Sequence, residues 1–131
     1  MERFYIPNYG SWDKPKIVGL TWLLEKMKER GLDGMVLMDV KSFQTTLGHL
    51  DVIYICKERG VLFESSRTMP SGFHGPVFAL YPTRKLIEKA ELLSNITDLL
   101  VLEWGDTKQT ESWRSEFNPA VIEAPQENLI K

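Results

Sequence analysis

Two carboxylates and one histidine are the residues in this chain best suited to acid–base chemistry. Asp39 and Glu103 each stand directly after a short apolar run of the kind found in buried strands, and His74 lies in a long polar loop, residues 65 to 75. A carboxylate or an imidazole can move a proton near neutral pH when a substrate is held beside it. We therefore name His74, Asp39 and Glu103 as catalytic candidates. Each has a simpler alternative as a capping or turn-forming residue.

A second group of residues is suited to binding an anion. Thr83 and Arg84 begin a predicted helix directly after a predicted strand, where free N–H groups and the helix dipole attract negative charge. Arg84 adds a guanidinium that can hold a phosphate or a carboxylate through two hydrogen bonds, and Arg67 adds another from the long loop. The ligand-binding candidates are therefore Arg84, Thr83 and Arg67, and the predicted ligand is a small anion. The alternative is that these side chains are only solvated.

Two of the four tryptophans also follow predicted strands. Trp12 and Trp104 have flat rings that can stack on a base or a sugar, which makes them further ligand-binding candidates. The same rings can instead shield the end of the sheet from water. Trp22 and Trp113 fall on predicted helices, where covering the sheet is the favoured interpretation.

A metal site is a weaker interpretation of the acidic residues. Asp39, Glu103 and Asp106 could supply the oxygen ligands that Mg²⁺ prefers. Turn formation and helix capping explain the same residues without a metal. We predict no metal site, and the sequence identifies no cofactor.

The segment from Gly75 to Asp106 shows which elements must position these residues. It contains an apolar run, a turn, a stretch in which Leu86, Ile87 and Ala90 have helical spacing, and a second apolar run. Short continuous apolar runs are typical of strands that are covered on both faces. The pattern recurs along the chain and predicts a three-layer α/β/α sandwich with a mainly parallel sheet of about five strands, Rossmann-like or flavodoxin-like. Such sheets bind ligands at the carboxyl ends of their strands.

The segment from Leu47 to Arg59 has two interpretations. Its β-branched run could form a hairpin with Val61 to Phe63. We favour a helix, because the sequence Lys-Glu-Arg-Gly at 57–60 repeats the sequence at 28–31, which ends the first predicted helix just before a strand. The hairpin remains the alternative.

The remaining segments are organised as one domain with a tail. We expect a single α/β domain over residues 1–122 and a flexible or docking C-terminal tail over 123–131, because two domains of this size could not each bury a sufficient core. Trp113 and Phe117 lie four residues apart on a short predicted helix that ends before Pro119. Val121 and Ile122 predict a small edge strand.

Composition and missing motifs argue against several functional classes. Sixteen Lys and Arg against 18 Asp and Glu give a formal net charge of -2, so there is no strong nucleic-acid signal. The single cysteine and the lack of a secretion signal or a long apolar run predict a cytoplasmic protein with no membrane association. A homo-oligomer is compatible with the sequence. The chain contains no GxGxxG, GxxxxGK[ST] or GxSxG motif.

We therefore expect a small α/β ligand-binding or protein-interaction module. The alternative is an enzyme acting on a phosphorylated or nucleotide-like substrate at the carboxyl edge of the sheet. In that case Arg84 and Arg67 would bind the charge, and His74, Asp39 or Glu103 would transfer the proton. A contact surface around Trp113 and Phe117 is a further option. The sequence leaves open whether the protein is an enzyme.

Overall fold

The computed structural model describes residues 1–7, 14–39, 50–103 and 107–123, and these form a sheet with helices on both faces. The described strands are β1 (Glu2–Ile6), β2 (Met35–Met38), β3 (Leu62–Ser65), β4 (Gly75–Leu80), β5 (Ile96–Leu102) and β6 (Ala120–Val121). The described helices are α1 (Lys14–Arg30), α2 (Leu50–Arg59), α3 (Arg84–Glu91) and α4 (Lys108–Phe117). Every strand pair is parallel, and the strand order is β3-β2-β4-β5-β1-β6.

Neighbouring residues of the central strands pack on opposite faces of the sheet. In β4, Val77 and Ala79 belong to the core under α3 and α4, while Phe78 and Leu80 belong to the core under α1 and α2. Because side chains alternate along a strand, a strand that is covered on both faces must be apolar at every position. The three-layer α/β/α prediction is thereby confirmed, and the sheet is wholly parallel with six strands among the described residues rather than about five.

At two places in the strand order, the helices that follow two neighbouring strands lie on opposite faces of the sheet. α1 and α2, which follow β1 and β2, cover one face, and α3 and α4, which follow β4 and β5, cover the other. The neighbours β2 and β4 therefore diverge at their carboxyl ends, and so do β5 and β1. Divergence of this kind opens a crevice at the carboxyl edge of the sheet.

The segment with two interpretations is a helix over its described residues. α2 begins at Leu50, and it buries Val52 and Cys56, which are four residues apart. Gly31 and Gly60 follow α1 and α2 with φ values of 64° and 69°, a left-handed conformation that ends a helix and that glycine adopts at little cost because it has no Cβ. The repeated Lys-Glu-Arg-Gly sequence is thus a repeated helix end, and the helix prediction is confirmed. Residues 47–49 lie outside the described part.

The connection from β3 to β4 has no helix. It leaves the carboxyl end of β3, and Met69 and Phe73 pack into the core under α3 and α4 before β4 begins at the amino edge. Over the four described ranges, no helix is long and apolar enough to cross a membrane. Of the predicted tail, only Glu123 is described.

Candidate functional site

Asp39 lies at the carboxyl end of β2 and is bound to the start of α3. Its carboxylate accepts hydrogen bonds from the Thr83 N–H at 2.8 Å and from the Thr83 hydroxyl. The Thr83 hydroxyl oxygen in turn accepts the Leu86 N–H at 3.4 Å, which makes Thr83 the N-cap of α3. The Asp39 carbonyl accepts the Ser66 hydroxyl at 3.0 Å. The structure therefore brings Asp39 and Thr83 together, with an internal carboxylate at the helix N-terminus where the sequence predicts a small anion.

Arg84 has an engaged backbone and an exposed side chain. Its N–H donates to Gln109 Oε1 at 2.9 Å, and its guanidinium lies 3.6 Å from the Glu88 carboxylate, with both side chains 62% exposed. Arg67 is also exposed, in the turn that follows β3. The amides of Thr83 and Arg84 are therefore already engaged within the chain, so an anion at the start of α3 would meet the Arg84 guanidinium instead. The anionic ligand stays a prediction.

Glu103 lies at the carboxyl end of β5 and is only 4% exposed. Its Oε1 accepts the Thr110 hydroxyl at 2.7 Å, and the Arg114 Nε donates to the same threonine oxygen at 3.0 Å. Burial, and to a smaller extent a hydrogen bond to Glu103, raises the pKa of Tyr5 to about 12. The phenol therefore keeps its proton at physiological pH. These contacts make Glu103 a buried junction of β1, β5 and α4.

The three catalytic candidates do not meet. Asp39 and Glu103 follow strands that have β4 between them, which separates the strand ends by about 10 Å. His74 precedes β4 and lies exposed at the amino edge, beside a cavity of about 420 Å³ that Arg30 and Asn95 also line. The enzyme alternative requires His74 at the carboxyl edge of the sheet, but the loop of residues 65–75 only begins at that edge and ends at the opposite one.

Some predicted site residues fall outside the described part of the chain, namely Trp12, Trp104 and Asp106. Trp22 and Trp113 are both buried, as the packing interpretation expects. Within the described ranges, no group of three or more His, Cys, Asp and Glu residues could hold a metal ion.

A groove that the sequence did not predict runs between α3 and α4. It consists of two adjoining cavities of about 580 and 330 Å³, and Arg84, Ser112 and Glu116 line both of them. Both helices follow strands of one parallel sheet, so they run in the same direction from the carboxyl edge towards the amino edge. We call this surface the α3/α4 groove. Its other lining residues are Ile87, Glu88, Glu91, Leu92, Lys108, Gln109, Glu111, Trp113, Ser115 and Phe117.

The aromatic side chains of the α3/α4 groove are held by polar contacts. Glu91 accepts the Trp113 indole N–H at 2.8 Å and two hydrogen bonds from Arg3, each 2.7 Å long. The Arg3 guanidinium also stacks on Phe117, at 3.9 Å from the ring centroid. Burial alone would raise the pKa of Glu91, but the hydrogen bonds from Arg3 and Trp113 hold it below its ordinary value. The carboxylate is therefore charged at neutral pH and fixes both rings.

Sequence spacing indicated part of this surface. Trp113 and Phe117 are four residues apart, which places them on one face of α4. Their spacing could not reveal that α3 is the neighbour of α4, nor that Arg3 reaches them from β1. Those facts depend on strand order.

Comparison with known proteins identifies no relative. No family model matches the sequence, and no curated protein or solved structure is significantly similar to the chain.

Proposed function

We propose that the protein is an interaction module whose α3/α4 groove binds an amphipathic helical segment of a partner protein. The observation that carries this proposal is the pair of adjoining cavities, about 580 and 330 Å³, with the rings of Trp113 and Phe117 on one side. Arg3 and Glu91 already fix those rings. A surface that is ordered before binding loses less conformational entropy when a partner docks.

The dimensions of the groove favour a helix as the occupant. α3 has eight residues and α4 has ten, so at 1.5 Å per residue the groove is about 12 to 15 Å long, or two to three helical turns. Phe117 is partly exposed and Leu92, at the end of α3, is 83% exposed, beside the buried side chains of Ile87 and Trp113. An apolar strip between polar rims is complementary to the apolar face of an amphipathic helix.

The positions of the acid–base candidates support binding over catalysis. Glu103 is engaged in a buried network, Asp39 is bound to Thr83, the N-cap of α3, and His74 lies at the opposite edge of the sheet. A proton-transfer site needs such groups within hydrogen-bond reach of one reacting centre. The enzyme alternative would have to use groups other than these three in concert.

The proposal can be tested with an uncharged peptide of about 15 residues, leucine on one helical face and glutamine on the other. We expect it to shift the backbone amide NMR signals of α3 and α4 in the isotopically labelled protein. Leu92→Ser should weaken its binding about tenfold, the equivalent of a large part of one buried leucine. Leu50→Ser is the matched control, since Leu50 is also exposed but lies on α2, on the other face of the sheet.

Two results would overturn the proposal. One is a peptide that shifts no signals of α3 and α4. The other is equal weakening of binding by Leu92→Ser and Leu50→Ser, which would mean that the peptide associates with exposed leucine in general.

A further inference from the structure

The charges along the α3/α4 groove are not evenly distributed. Arg84 and Lys108 are the first residues of α3 and α4, so both lie at the carboxyl-edge end. The acids follow further along: Glu111 and Glu116 on α4, and Glu88 on α3. At 1.5 Å per residue, these carboxylates begin about 4.5 Å and extend to about 12 Å from the basic end. The groove therefore has a short basic end and a longer acidic part.

The backbone of the two helices adds to this charge distribution. Each helix carries a partial positive charge at its N-terminus and a partial negative charge at its C-terminus. Because α3 and α4 are parallel, their dipoles reinforce each other instead of cancelling. At the positive ends, the Asp39 carboxylate is already bound to Thr83 at the start of α3, so the exposed positive charge there comes from Arg84 and Lys108. The negative ends lie beside Glu116 and Leu92. Side chains and dipoles thus act in the same sense.

The acids differ in how far they are already neutralised. Glu91 is paired with Arg3 inside the groove, so it offers little charge to a partner. Glu88 lies 3.6 Å from Arg84, with both side chains largely in solvent, an arrangement that water screens strongly. Glu111 and Glu116 are exposed on the α4 rim. Arg3 attracts Glu116 weakly and from a greater distance than it attracts Glu91. Glu111 and Glu116 are therefore the carboxylates of the groove that we expect to pair with cations of a partner.

We propose that the helical partner of the α3/α4 groove is basic and lies antiparallel to α3 and α4. This inference rests on the proposed function and specifies its partner. Lysine or arginine side chains of the partner helix pair with Glu116 in its N-terminal half and with Glu111 near its middle. The C-terminal end of the partner helix, which carries the negative end of its own dipole, faces Arg84 and Lys108. The reverse orientation places like charges together at both ends of the groove.

The experiment uses three peptides of about 15 residues with the same leucine face and with lysine, glutamine or glutamate on the other face. We expect the lysine peptide to bind about 3- to 10-fold more tightly than the glutamine peptide, as two or three exposed ion pairs would give. The glutamate peptide should bind most weakly. The double variant Glu111→Gln with Glu116→Gln should abolish the preference for lysine. Glu58→Gln, an exposed acid on α2, should leave it unchanged.

Orientation is measured with a spin label on either end of the lysine peptide. A label at the peptide N-terminus should broaden the amide signal of Leu92 more than that of Arg84, and a label at the C-terminus should do the opposite. Reversed broadening would overturn the orientation.

The outcomes separate this inference from the proposed function. If all three peptides bind the groove equally, or the glutamate peptide binds best, the basic partner is wrong and the interaction module stands. If no peptide perturbs α3 and α4, the proposed function fails and this inference fails with it. If sedimentation shows a dimer and dilution shifts the groove signals, the occupant is a second copy of the chain, and the basic partner helix is wrong.

Discussion

Replacing Glu91 by glutamine should destabilise the protein in a way that depends on pH. The change keeps the size of the side chain and an acceptor for the Trp113 indole, but it removes the charge that holds Arg3. A hydrogen bond to a charged group contributes about 1.5 to 3 kcal/mol when it is buried. Here the Arg3 and Glu91 side chains are 24% and 14% exposed, so solvent screening reduces the total for both bonds to about 1 to 2 kcal/mol.

The pH dependence follows from the lowered pKa of Glu91 in the folded protein. As pH falls below the ordinary value of 4.5, the unfolded chain takes up the proton first, because the folded pKa is lower. The stabilisation is therefore complete above about pH 4.5 and is lost as pH falls through the folded pKa. The difference in unfolding free energy between the natural protein and Glu91→Gln should shrink between neutral pH and about pH 3.

Urea unfolding at several pH values measures this difference. Burial would raise the pKa of Asp98, but hydrogen bonds from Arg30 lower it. Asp98 titrates in both proteins, so its effect cancels in the comparison. Glu58→Gln, at an exposed acid on α2, serves as a control that should change stability little at any pH. A difference that is zero at neutral pH, or one that stays constant down to pH 3, would refute the electrostatic account of the Arg3–Glu91 pair.

Two further predictions concern the core and the carboxyl edge. Gly19→Ala should lower the free energy of unfolding by about 1 to 2 kcal/mol, because the added methyl group would lie 2.2 Å from the buried Phe78 ring and overpacking outweighs the gain in helix propensity of about 1 kcal/mol. Adding Phe78→Leu to the same chain should recover most of this loss. A Gly19→Ala protein that is as stable in urea as the natural protein would contradict this packing. If a small phosphate-bearing ligand binds at the carboxyl edge, as the sequence predicts, Arg84→Ala should weaken its binding by about 1.5 to 3 kcal/mol. Calorimetric titration with nucleotides and sugar phosphates measures this loss, and Arg59→Ala, at the far end of α2, should not cause it. Equal binding by both variants would exclude Arg84 from such a site.

The layers of the fold could be predicted because the local spacing of apolar residues indicates which faces of a strand or helix are buried. A run such as Val77–Leu80 is apolar at every position since both faces of β4 are covered, and Leu86, Ile87 and Ala90 share one face of α3. The ends of α1 and α2 could also be predicted from residues that are close together in the sequence. Gly31 and Gly60 end their helices through a backbone conformation that depends on one residue.

The site was less predictable because it depends on contacts between distant segments. Nothing near Glu103 in the sequence indicates that Tyr5 of β1 is hydrogen-bonded to it. Nothing near Asp39 indicates that its carboxylate binds Thr83, the N-cap of α3, 44 residues later. His74 was assigned to the wrong edge because a loop between parallel strands has to cross the full height of the sheet. A sequence pattern indicates where a loop starts, but not at which edge of the sheet each residue of the loop lies.

The place of β1 in the sheet has a consequence for how the chain folds. Glu2 pairs with Asp98 and Ile6 with Leu102, so β1 finds its neighbour β5 across a separation of 96 residues. At a synthesis rate of about 5 to 20 residues per second, β1 must wait about 5 to 20 s for β5 to be made. During that interval Tyr5 and Ile6 have no sheet to join, and Arg3 has no Glu91 to bind until α3 exists. Closing so long a loop is slow, and we therefore expect the N-terminal strand to be among the last parts of the sheet to become protected from amide exchange during refolding.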